Sequence, residues 1–255
     1  MSIGYTKIGN GAEHVLVFHG WFGDYTAWEP TFKALDTESF TYVFIDYRGY
    51  GKSAALTGDY SMREIAADAN QVARELGLKS VHVIGHSMGG MAMQRFILDC
   101  DPELQVKSAL GVTPVPACGG QLDENAWGLF EGAIKQDQNR YAIIDFTTGN
   151  RLTASWIHNM VKASRATTHE AAFAGYLNAW VKENFADEIS QIQTPMLVCV
   201  GENDGAINAE AMKATYLTWY PSCELQVIPN AGHYPMQETP VDLITRLETF
   251  MRQHS

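Results

Sequence analysis

One segment, VHVIGHSMGGMAMQRFIL at 81–98, limits the folds open to this chain more than any other. An apolar run leads into Gly85, His86, Ser87, Met88 and Gly89, and apolar residues at helical spacing follow at once. That order predicts a strand, a tight turn and a helix. A serine between two glycines on such a turn has to take a strained backbone, and only small flanking residues let strand and helix approach closely enough to hold it there. Its hydroxyl is pushed outward. The helix aims its N-terminus at the same point, so the Met88 N–H and the helix dipole favour negative charge beside Ser87.

The alternation continues along the chain. Strand-like runs lie at about 3–8 and at 15–18, 41–45, 80–84, 106–112, 196–200 and 225–228, bounded by Gly, Pro or Asp. Helical spacing marks 61–76, 88–100, 208–219 and 239–251. Parallel neighbours need crossovers, and right-handed crossovers place helices on both faces of the sheet. The expected fold class is α/β, a doubly wound, mostly parallel sheet of seven or eight strands. From about 118 to 193 the pattern turns to helices alone, at 123–136, 139–146, 153–164 and 168–182. This predicts a core built from 1–117 and 194–255 with a helical cap at 118–193. The last helix has Thr167 and Glu170 in capping-box spacing and an apolar stripe of Phe173, Tyr176, Leu177, Trp180 and Val181. Laid over the carboxyl end of a sheet, such a stripe would wall a pocket.

Composition narrows the partners. A chain of 255 residues that is 46% hydrophobic and 11% aromatic can bury one large core. The net charge is −11 and the Lys and Arg residues are scattered, which leaves no footprint for a nucleic-acid backbone or an anionic membrane. No apolar run is long enough to span a bilayer, and the N-terminal residues lack a basic segment followed by an apolar one, so a soluble, cytoplasmic protein is expected. Cys100, Cys118, Cys199 and Cys223 show no CxxC spacing and are expected to be reduced.

A serine hydroxyl is a poor nucleophile at neutral pH and needs a base, which needs an orienting partner. Asp204 follows the strand-like MLVCV, and His233 follows ELQVI. Parallel strands present their carboxyl ends on one edge, so Ser87, Asp204 and His233 can converge there. Singly, an aspartate past a strand is usually a turn residue and a histidine usually a hydrogen-bonded surface or core residue. Their conjunction with Ser87 marks them as candidates. His19 and Gly20 follow VLVF, and a His-Gly step frees the next N–H to turn inward, so the amide of Trp21 is the candidate partner for Met88 in an oxyanion hole, with Phe22 second. Phe22, Trp156 and Trp180 are the candidate pocket residues, drawn from an aromatic-rich set that includes Trp127, Phe130, Phe146 and Met160.

HGWFGDYTAW at 19–28, DYRGYGKS at 46–53, GHSMGG at 85–90, GEND at 201–204 and NAGHYPMQETP at 230–240 together resemble the α/β-hydrolase family in its capped, esterase-like branch. The resemblance implies a sheet of up to eight strands, a helical cap after the sixth, no metal and no organic cofactor. With a single strand candidate before VLVF, the usual first strand is expected to be missing. HGWF lacks the extra glycines of HGGG lipases and looks like the loop of small carboxylesterases and cofactor-free perhydrolases. Ser87 argues against dehalogenases and epoxide hydrolases, which use an aspartate there, and Met88 against proline iminopeptidases, which show Trp. The expected activity is hydrolysis of small to medium carboxylic esters through an acyl-enzyme on Ser87. Thioester, lactone, amide or carbon–carbon hydrolysis, perhydrolysis and a small-molecule receptor retaining the triad stay open.

Overall fold

A computed structural model describes residues 2–255, so Met1, the first residue of the predicted core segment, lies outside the described residues. Its strands are β1 (Tyr5–Ile8), β2 (Glu13–Phe18), β3 (Phe40–Ile45), β4 (Ser80–His86), β5 (Gln105–Val112), β6 (Met196–Gly201) and β7 (Cys223–Ile228). They form one seven-stranded sheet in the order β1-β3-β2-β4-β5-β6-β7. Only β1 runs antiparallel to its neighbour. The seven-strand alternative therefore holds. FTYVFI in β3 and MLVCVG in β6 are buried at every position, as strands covered on both faces require.

The chain leaves β2 for β3 on one side and then crosses to β4 on the other. That reversal opens a crevice at the carboxyl ends of β2 and β4, the place where doubly wound sheets hold ligands.

Helices cover both sides of the sheet. Helix α1 (Met62–Glu75) starts at Ser61, whose Oγ accepts the Glu64 N–H at 3.1 Å, while the Glu64 carboxylate accepts the N–H groups of Asp59 and Tyr60. Helix α2 (Met88–Leu98) follows Ser87 directly. Between β5 and β6 lie α3 (Glu124–Gly132), α4 (Asp137–Thr147), α5 (Ala154–Thr167) and α6 (Glu170–Lys182). The expected α6 stripe is buried at Phe173, Tyr176, Leu177, Trp180 and Val181. Its expected cap is not formed. The Thr167 hydroxyl donates to the Ala163 carbonyl at 3.0 Å and stays in α5, because a carbonyl one turn back competes for it. Thr168 instead bridges Tyr50, and the His169 N–H donates to the Gly49 carbonyl at 2.8 Å.

After β6 the predicted helix at 208–219 is two helices, α7 (Ala209–Ala214) and α8 (Tyr216–Trp219). Thr215, at φ −117° and ψ −85°, breaks it and turns its hydroxyl back to the Ala211 carbonyl at 2.7 Å. Helices α9 (Pro235–Glu238) and α10 (Pro240–Gln253) close the chain. All four cysteines are free thiols. Among the described residues no helix is long and apolar enough to cross a membrane.

Candidate active site

Strand β4 ends at His86 and α2 begins at Met88, which leaves Ser87 alone to reverse the chain at φ 53° and ψ −121°. Such a backbone in a residue with a Cβ costs on the order of 1–3 kcal/mol and persists only where its surroundings impose it. Hydrogen bonds impose it here: the Ser87 N–H donates to Val112 at 3.0 Å, and its carbonyl accepts from Gly90 at 2.8 Å and Val115 at 2.9 Å. Close packing does the rest. A Cβ on Gly85 would lie 2.4 Å from the Gly89 carbonyl oxygen, and one on Gly89 would lie 2.4 Å from that of Phe18.

The loops after β6 and β7 bring Asp204 and His233 to this turn. His233 Nε2 is 2.9 Å from Ser87 Oγ, and His233 Nδ1 is 2.7 Å from Asp204 Oδ2. The other carboxylate oxygen accepts the N–H groups of Ala206 at 2.8 Å and Ile207 at 3.0 Å, so the buried carboxylate has one free direction, toward the imidazole. An ionised carboxylate only accepts, which places the imidazole proton on Nδ1 and leaves Nε2 to accept from the serine.

The His233 backbone is held as firmly as its ring. Its N–H donates to the Thr147 carbonyl at the end of α4 at 3.0 Å. Its carbonyl accepts from His86 Nε2 at 2.8 Å and from the Thr113 hydroxyl at 3.2 Å. Burial holds the His86 imidazole well below its usual pKa, so it stays neutral with its proton on Nε2. Sequence reasoning assigned no role to His86, Thr113 or Thr147. Only His86 offered a signal, its place beside Ser87.

The loop after β2 lies against the same turn. A Cβ on Gly20 would fall 2.7 Å from His86 Nδ1 and 3.3 Å from Ser87 Cβ. Among the described residues, neither the Trp21 N–H nor the Met88 N–H donates to a protein acceptor. Beneath the loop, His19 is buried, its pKa pushed down to about 4 by burial, and its Nδ1–H donates to the Gly20 carbonyl at 2.8 Å. The Tyr47 hydroxyl donates to the His19 carbonyl at 2.9 Å.

A cavity of about 380 Å³ opens on Ser87 and His233. Phe22 and Trp180 line it, as do Trp21, Phe130 and Phe146. Trp156 does not, contrary to expectation. Helix α4 supplies Ile143, Phe146 and Thr147 to the wall, and α5 packs on α4, so no α5 residue reaches the cavity. The Trp156 ring instead meets Tyr234 at 6.1 Å between centroids and 65° between planes. Met160, also on α5, is absent from the wall, and Trp127 lies under the Lys182 ammonium at 4.0 Å. Leu122 and Leu129 near α3, and Ile207 and Met212 after β6, complete an apolar wall that the aromatic pattern did not mark. No Asp, Glu, Lys or Arg of the described residues lines it.

Comparison with known proteins places the fold. The chain is 26% identical over 245 residues to a non-heme haloperoxidase of Rhodococcus erythropolis, covering 90% of this chain and 88% of the relative. It is 26% identical over 251 residues to a 2-hydroxy-6-oxononadienedioate/2-hydroxy-6-oxononatrienedioate hydrolase of a Pseudomonas species, covering 93% and 87%. An esterase from Exiguobacterium antarcticum superposes with a TM-score of 0.86 at 20% identity over 98% of this chain and 95% of that one, a likeness of fold. The profile of the alpha/beta hydrolase family matches residues 15–247, nearly the whole sheet together with both loops that carry Asp204 and His233. With strand order, strand-to-helix turn and sequence profile in agreement, this chain belongs to the alpha/beta hydrolase family.

Proposed function

We propose that the protein hydrolyses small to medium carboxylic esters, those of monocarboxylic acids, through an acyl-enzyme on Ser87. The observation that carries this reading is the unbroken chain from Asp204 through His233 to Ser87, at 2.7 and 2.9 Å, opening onto an apolar cavity. His233 Nε2 takes the hydroxyl proton as Ser87 Oγ attacks the ester carbonyl carbon. The carbonyl oxygen gains charge between the unengaged N–H groups of Trp21 and Met88, the second at the N-terminus of α2. Asp204 stabilises the imidazolium, which then protonates the leaving alcohol. Water, deprotonated by the same imidazole, attacks the acyl carbon and frees Ser87 and the acid.

The cavity bounds the substrate. At about 380 Å³ it is near the lower end of small-molecule sites, and an acyl chain of a few carbons fits it. The hydrolase relative from Pseudomonas is named for a dicarboxylate, whose carboxylates would need a cation or several donors when buried. No cation lines this wall among the described residues, which favours esters of monocarboxylic acids. Nitrophenyl esters of increasing acyl length, offered to the native chain, test this. Turnover with a short- to medium-chain optimum is expected, and equal rates at every length would remove the assigned acyl pocket.

The relative named a haloperoxidase favours a second reading of the same acyl-enzyme. Hydrogen peroxide in place of water would release a peracid, which oxidises halide. Bromination that requires peroxide, acetate and Ser87 together would shift weight to it; bromination absent in acetate buffer removes it.

A further inference from the structure

Trp21 and Trp180 stand in the same cavity wall, yet their indoles are treated differently. Among the described residues Trp180 leaves its buried Nε1 without a partner, so its place in the wall rests on packing alone. Trp21 Nε1–H donates to the Phe173 carbonyl inside α6 at 2.7 Å, across 152 residues of sequence. Its ring lies on the Phe173 ring at 3.9 Å between centroids and 15° between planes. On Phe173 also rests the guanidinium of buried Arg140, 3.9 Å from the ring centroid, fixed by bonds to the Ala133 carbonyl at 2.8 Å and Ser164 Oγ at 2.7 Å. The Trp21 carbonyl accepts from the Tyr50 hydroxyl at 3.0 Å. Helix α6 is itself anchored, since the His169 N–H donates to the Gly49 carbonyl at 2.8 Å, which pairs Thr168 with Tyr50, and Gly49, at φ 78°, leaves the space that Ala172 fills.

We infer that the Trp21 indole is a positioning group for the oxyanion hole, tying the loop after β2 to α6, so that the helical insertion governs the chemical step as well as the cavity's shape. The inference rests on the reading of Ser87 as the acylated nucleophile. Its physical basis is alignment: an amide aimed at a developing oxyanion loses its effect when displaced by about 1 Å, and such errors cost about 10²-fold.

Trp21→Phe keeps a ring over Phe173 and removes the N–H, whereas Phe173→Leu removes the stacked ring and keeps the carbonyl. Ester hydrolysis and the rate at which a fluorophosphonate labels Ser87 are measured for the full-length chain and both variants. Trp21→Phe is expected to lower kcat and the labelling rate together by about 10- to 100-fold, with KM within about threefold. Phe173→Leu is expected to lower both by less than about fivefold. A raised KM at unchanged kcat would overturn the inference, because it would make the indole a substrate contact only. An unchanged labelling rate, or an equal loss in Phe173→Leu, would overturn it too. Should Trp21→Phe fail to fold, the analogue carrying sulfur in place of the indole N–H at position 21 preserves shape and answers the same question. A native chain that neither turns over esters nor labels at Ser87 would remove the reading of Ser87 and this inference with it; an active, labelled native chain with an unaffected Trp21→Phe removes this inference alone.

Discussion

The sheet contains two sets of serine, histidine and carboxylate. In the first, Ser87, His233 and Asp204 stand on loops past the strand ends. In the second, Ser108 of β5, His82 of β4 and Glu13 of β2 lie within the strands, with Ser108 Oγ 2.7 Å from His82 Nδ1. Residue types and the first contact match, and the rest does not. His82 Nε2 is 3.4 Å from Glu13 Oε2 and has no hydrogen-bond partner among the described residues, because the Lys107 ammonium holds that oxygen at 2.6 Å. Ser108 is fully buried in ordinary strand backbone, and none of the three lines the 380 Å³ cavity. The contrast separates a buried hydrogen-bonded set from the one proposed to be catalytic. A bonded base is common to both, but a strained serine at a cavity, with unengaged amides beside it, belongs to one.

Substitutions at matching positions probe that contrast most strongly. Ser87→Ala is expected to lower kcat by about 10⁴- to 10⁶-fold with the fold intact, and Asp204→Asn by about 10⁴-fold. Ser108→Ala and Glu13→Gln are expected to leave ester hydrolysis within about threefold. Steady-state kinetics with circular dichroism on each variant checks this, and activity that survives Ser87→Ala would erase the distinction.

Acid should act on the buried set through stability. Burial pushes the His82 pKa down to about 4 from the 6.5 of a solvated histidine. The unfolded chain therefore takes up the proton first. The contribution of His82 is full above pH 6.5 and falls as pH drops through the window from 6.5 to 4, a loss on the order of 3 kcal/mol at its lower end. His19 adds a loss over the same window. Urea unfolding at pH 7.5 and 4.5 should show a smaller difference for His82→Gln than for the native chain. An identical difference would mean that water reaches the imidazole.

The smallest expected effect concerns the cavity that the buried set lacks. Leu129→Ala, in the wall, should shift the preferred acyl length upward and change KM for longer esters by about two- to tenfold. Trp156→Ala, beyond Tyr234, should leave the preferred length where it is. Chain-length profiles of the two variants decide it, and the reverse result would return Trp156 to the pocket.

Much of this architecture was legible because parallel strands write themselves as short apolar runs ended by Gly, Pro or Asp. MLVCV and VLVF could be placed within two residues for that reason. Fold class then implied that Ser87, Asp204 and His233 share an edge, and the structure brings them to hydrogen-bond distance. Other features have no such trace. The Thr147 carbonyl that holds the His233 N–H is a backbone atom, and any residue could supply it. Helical spacing told that α5 has an apolar face but not that α4 stands between it and the cavity, hence the misplacement of Trp156. Thr167 carried a capping signal that its own helix overrode, and Thr215 broke a helix whose spacing was continuous.

The bond from His233 to Thr147 bears on engineering. Exchanging residues 118–193 wholesale with a relative, to transplant its selectivity, would also exchange the groups that hold His233 and the loop after β2. The stretch around α3 is a better graft. It contributes Leu122, Ala126, Leu129 and Phe130 to the wall, yet makes no hydrogen bond to the loops bearing Trp21, Asp204 or His233 among the described residues. A library confined to Leu122, Ala126 and Leu129 would vary the wall while keeping Phe130, stacked on the Trp21 ring at 5.8 Å between centroids, and Gly120, where a Cβ would meet the Trp180 ring.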